Sequence, residues 1–124
     1  MGYIPKGAKW YLAELVVEFL IDGEPKNVVH INWLLVRADS PEEAYERSLS
    51  LGAQYDNSYL NTDAKVVTAR FRGLRDLNVI HGELEHGAEL IYQKKTGLSA
   101  EDLEKLVAKK EELGVFAPAE ADED

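Results

Sequence analysis

Four side chains could hold a metal ion. His81, Glu83, His86 and Glu89 put two imidazoles and two carboxylates within nine residues, and such nitrogen and oxygen donors suit zinc or another divalent cation. Gly82 and Gly87 oppose the helix that would align the histidines, so the ligands would have to come from a wrapping loop; a solvated polar turn is the plainer reading. Asp56-Asn57-Ser58 opens like a calcium loop, but Asn61 stands where glycine is required and Val67 where a bidentate glutamate belongs. Tyr55, Asp56, Asn57, Tyr59 and Asn61 combine aromatic area with small hydrogen-bonding groups, a mixture suited to partner recognition. Arg70, Arg72 and Arg75 form a short basic stripe beside this run. It could meet a partner or single-stranded RNA, although no RNA-binding aromatic motif surrounds Gly73.

Catalytic chemistry has weaker support. The chain has no cysteine, and no Gly-x-Ser-x-Gly elbow or phosphate-cradling glycine loop can be drawn. Glu14 and Glu18 recur on one strand face, which reads as a solvated or ion-paired surface rather than an acid–base pair. No catalytic residue and no cofactor is therefore assigned.

The elements that must position these groups follow from periodicity. From Trp10 to Ile21 the odd positions Tyr11, Ala13, Leu15, Val17, Phe19 and Ile21 are all apolar, the pattern of a strand with one dry face. Asp22 to Asn27 is a turn cluster, so Val28–Arg37 folds back antiparallel. Val29, Ile31, Trp33 and Leu35 are its apolar odd positions, and Leu34 and Val36 make its far end apolar on both faces. Both tryptophans, Trp10 and Trp33, read as core or core margin.

Ser40-Pro41-Glu42-Glu43 is a helix start with a capping box. The helix should present Ala44, Tyr45, Ser48, Leu49 and Leu51 inward and stop at Gly52. Residues 54–63 read as a loop, 64–74 as a strand, 77–80 as a short strand or irregular edge, and 88–95 as a further strand. Ser99 caps a second helix, running to about Leu113 with a stripe of Leu103, Leu106, Val107 and Leu113. The expected fold is α+β, a mainly antiparallel sheet of four to five strands with two helices in the order ββαβ(β)βα, the helices on one side. One domain spans 8–113, with a flexible arm at 1–7 and an acidic disordered tail at 114–124.

Charge narrows the partners. The chain carries 23 acids against 14 bases, a formal net charge of −9. That balance disfavours phosphate backbones and anionic membranes, and no apolar stretch reaches the length of a bilayer span. The absence of cysteine suits the cytoplasm.

Trp10-Tyr11-Leu12-Ala13, the joint Ala38-Asp39-Ser40-Pro41-Glu42-Glu43-Ala44 closing at Leu51-Gly52, Phe71-Arg72-Gly73-Leu74-Arg75-Asp76-Leu77 and Gly87-Ala88-Glu89-Leu90 together resemble a family of small bacterial domains of unknown function. The resemblance covers about residues 8–95. It implies a compact intracellular bacterial domain and brings no catalytic residues. The expected function is a non-enzymatic module that recognises another protein through residues 54–63 with Arg70 and Arg72. The alternatives are a small metal- or ligand-binding enzyme with a pocket near His30, Trp33 and the His81–His86 loop, and a self-association module.

Overall fold

The structure is a computed structural model describing residues 7–116. The chain divides into two compact units, residues 1–92 and 93–124. The first contains β1 (Trp10–Ile21), β2 (Val28–Arg37), α1 (Pro41–Ala53), β3 (Asn57–Leu60) and β4 (Val66–Val79). All neighbouring strands are antiparallel, in the order β2-β1-β4-β3. The class is α+β, as the periodicity implies.

The odd face of β1 is the core face. Tyr11, Ala13, Leu15 and Val17 are buried, and Phe19 is partly so. Strand pairing extends this face sideways. Val36 and Val79 flank Tyr11, Leu34 and Leu77 flank Ala13, and Asn32 and Leu74 flank Leu15. Ala44 and Leu51 of α1, with Tyr55 after it, pack on the cluster. Burial, reinforced by the carboxylates of Glu42, Asp39 and Glu43, pushes the Tyr11 phenol above its usual 10.

The α1 start follows the sequence signal. Ser40 Oγ accepts from the Glu43 N–H at 3.1 Å, while Glu43 Oε1 reaches one residue beyond the cap to accept from the Asp39 N–H at 2.7 Å. The inner face is Ala44, Ser48 and Gly52, whereas Tyr45 points to solvent. Gly52 does not end the helix, which runs to Ala53. A side chain there would collide with the Phe71 ring, so glycine at this position lets the helix lie close on the sheet.

Three features of the sheet differ from expectation. Residues 57–60 form edge strand β3, paired with Val66–Ala69, rather than lying in a loop; four residues of polar composition carry too short an alternation to be read as a strand. The two segments expected around 64–74 and 77–80 are one strand, β4, broken in register twice. Pairings jump from Asp76 to Leu74 and from Gly73 to Phe71, so Arg75 and Arg72 are the extra residues of two bulges. Gly73, at φ 138°, lies between them in a backbone conformation reserved for glycine. Residues 88–95 form no strand.

In the second unit α2 spans only Ala100–Lys105, capped by Ser99 Oγ accepting from the Asp102 N–H at 3.0 Å, and is followed by a 3-10 turn, Lys110–Glu112. None of its residues is buried, and packing of an apolar face is what sustains most helices, so the stripe expected to reach Leu113 ends early. The Lys110 ammonium lies 5.2 Å from the centre of the Phe116 ring. Of the arm and tail expected at the chain ends, residues 1–6 and 117–124 lie outside the described residues.

Candidate functional site

The face of the sheet away from α1 is built from the even positions of β1. β1 and β2 pair Trp10 with Arg37 and Phe19 with Val28, so the even residues of one strand meet the odd residues of the other. Four rows cross the sheet from β2 through β1 to β4: Leu35–Leu12–Asn78, Trp33–Glu14–Asp76, Ile31–Val16–Gly73 and Val29–Glu18–Arg70. The apolar odd positions of β2 therefore lie on this outer face, not in the core. Trp33 is 55% exposed, Val29 48% and Leu35 46%. Trp33, expected at the core or its margin, is instead exposed on this face. With β1 odd positions buried, the hairpin register sends β2 odd positions outward.

Beside the apolar row the surface is neutralised. Glu14 is only 5% exposed, and its Oε1 accepts from Arg75 Nε at 2.7 Å, with Arg75 Nη2 also close at 2.5 Å. Glu18 Oε1 accepts from Arg72 Nε at 2.8 Å and Nη2 at 2.6 Å, and Glu18 Oε2 accepts from Asn27 Nδ2 at 2.5 Å. The Asn27 hydrogen bond first, then the Arg72 hydrogen bond and charge, hold the Glu18 carboxyl below its usual 4.5. Each bulge thus places an arginine over a β1 glutamate. Arg75 is the partner of Glu14, and Arg70 faces solvent on the Glu18 row.

The residues expected to recognise a partner are divided by the fold. Tyr55 packs against the core, and Asp56 Oδ1 accepts from the Phe71 N–H at 2.8 Å. Asn61 Oδ1 accepts from the N–H groups of Asp63 and Lys65, closing the β3–β4 turn. Asn57 is exposed and Tyr59 partly buried on β3. Arg72 is engaged with Glu18. Asp56, Asn61 and Arg72 thus spend their polar groups inside the chain.

A cleft of about 540 Å³ opens at the end of the sheet where β1 begins and β2 ends, lined by Lys9, Trp10, Arg37, Ile80, His81 and Glu83 among others. The Arg37 guanidinium lies 5.8 Å from the Trp10 ring centre, within cation–π range. Lys9 Nζ is 2.6 Å from Asp39 Oδ1, and this hydrogen bond, with the lysine charge, lowers the Asp39 carboxyl below its usual 3.8. His81 and Glu83 reach this cleft, but His30 does not; it sits opposite Val17 with its ring 4.7 Å from that of Phe19. Among the described residues no three histidine, aspartate or glutamate side chains converge as a metal-ligand set, so His81, Glu83, His86 and Glu89 are not gathered around a common point.

Residues 10–92 match the family described as "Domain of unknown function (DUF4288)". The chain belongs to this family. The DUF4288 match begins on the first residue of β1 and ends where the first compact unit ends, so both the outer sheet face and most of the cleft wall belong to the DUF4288 domain. No curated protein and no solved structure matches the chain. Among the described residues no helix is long and apolar enough to cross a membrane.

Proposed function

We propose that this DUF4288 domain is a non-enzymatic interaction module that docks an extended segment of a partner chain on the outer row and open edge of β2. The observation that carries this reading is the exposure of Val29, Trp33 and Leu35 in one line on an outermost strand. Isolated apolar residues at a surface are ordinary, but a contiguous row centred on a tryptophan is the composition of an interface core. The adjoining glutamates are already paired with arginines, so a partner would bury little uncompensated charge there. A bacterial cytoplasmic setting fits the family resemblance and the absence of cysteine.

The test is a photo-crosslinking residue placed at Trp33, with Ser58 on β3 as control position, in the full chain exposed to its native lysate. Adducts from position 33 and none from 58 support the reading. Equal labelling from both positions, or none from 33, overturns it.

A second reading rests on the cleft. Trp10 with the Arg37 guanidinium over its ring offers a planar surface and positive charge, the combination that holds a small anionic ring compound. A thermal-shift screen with such compounds that raises the melting temperature of the native chain but not of Arg37→Ala supports that reading.

A further inference from the structure

The two edges of the sheet are unlike. β3 is four residues long, the usual blunting of an edge. β2 is ten residues, pairs with β1 in unbroken register, and contains no proline and no carboxylate in a chain of net charge −9. Proteins guard such an edge with charge, proline or a bulge unless it is meant to be covered.

The backbone shows which groups face outward. The Ala38 N–H donates to the Lys9 carbonyl at 2.9 Å, so the even residues of β2 turn their N–H and C=O groups toward β1. The odd residues Val29, Ile31, Trp33, Leu35 and Arg37 turn theirs to the open edge. At the last of these, Arg47 Nη1 donates to the Arg37 carbonyl at 2.8 Å, so that position is already occupied by the chain itself. Four consecutive edge-facing residues remain, and among the described residues no backbone hydrogen bond outside the sheet reaches them.

We infer that the occupant of this edge is a second copy of the same chain, paired β2 to β2 antiparallel about a twofold axis at Asn32. The inference rests on the interaction-module reading and names its partner. A dyad at Asn32 is the one register that pairs those four residues with themselves and leaves Arg37 out. Val29 then faces Leu35 of the other copy and Ile31 faces Trp33, each an edge-bonded pair on the outer face. On the opposite face Asn32 meets Asn32, whose amides are both donor and acceptor. His30 meets Leu34 and Val28 meets Val36 there. No like charges are apposed, so the strand of an otherwise acidic molecule is self-complementary, as an isologous interface requires. The two four-stranded sheets become one continuous sheet, and the apolar row doubles in width.

The chain has no native cysteine, which makes a cross-link test direct. At the dyad the two copies of residue 32 form a non-hydrogen-bonded pair with Cα atoms about 4.5 Å apart, inside the span of a disulfide. Oxidation of Asn32→Cys in the full chain should give a covalent dimer, while Ser58→Cys on β3 should not. Sedimentation of the unmodified protein should give twice 13.9 kDa at high concentration, and Trp33→Lys should raise the dissociation constant by about thirtyfold. Because Trp33 is exposed, that variant keeps its fold, which its circular dichroism will confirm. A 13.9 kDa species at every concentration, or an Asn32→Cys chain that links no better than Ser58→Cys, overturns the self-pairing. The first result together with position-33 adducts to a different protein would leave the interaction module standing with a foreign strand as partner.

Discussion

Asp56 shows a polar side chain of a recognition-like run serving the fold. Its place in a polar, tyrosine-containing run suggests recognition, yet its carboxylate accepts the amide of Phe71 at 2.8 Å, beside the β4 bulge at Arg72. Asp56→Ala should therefore lower stability by about 1 kcal/mol, the worth of one hydrogen bond, and leave partner capture through position 33 unchanged. Chemical denaturation of the variant beside the crosslinking yield checks both halves. The Glu18 carboxyl supplies a pH signature. Its folded pKa is depressed, so its contribution is fully present above the usual 4.5 and is lost as pH falls through the lower folded value. Melting temperature should hold steady down to about that range and then fall, and Glu18→Gln should flatten the acid limb measured by calorimetry at successive pH values. Which acids would sit near arginines was legible from the sequence; which arginine pairs with which glutamate was not, because two bulges re-aim the β4 side chains.

Among the elements, β1 and α1 are legible in the sequence because each states itself locally. Strict alternation defines the first and a Ser-Pro-Glu-Glu start the second. β3, the unbroken length of β4 and the brevity of α2 depend on pairing or packing partners far along the chain, and a local pattern does not carry them. The helix–sheet contact at Gly52 is similar: the residue looks like a helix stop and serves as a close approach to Phe71. Gly52→Ala should destabilise the domain by about 1–3 kcal/mol, the cost of overpacking a fitted contact. Phe71→Leu in the same chain should recover part of that loss, a coupling that a double-mutant cycle by urea denaturation would detect. At the bulges, Arg75→Ala removes the partner of a nearly buried Glu14 carboxylate. It should cost about 2 kcal/mol, more than the same change at solvent-facing Arg70.

For the whole molecule, the decisive arrangement is an asymmetry between two faces and two edges. One face is closed by α1; the other carries an apolar row flanked by paired charges. One edge is a four-residue strand, and the other is long, uncharged by acids and unbroken. The two-faced apolar character of β2 was visible in the sequence, but its direction was not, since that depends on the hairpin register. Residue-resolved amide exchange along β2, at a dilution where sedimentation reads a single chain, tests this most directly. Backbone groups committed to β1 should exchange slowly at His30, Asn32, Leu34 and Val36, and those aimed at the open edge should exchange fast at Val29, Ile31, Trp33 and Leu35. Equal protection at all eight positions in that dilute state would mean the edge is already covered, and would contradict the account.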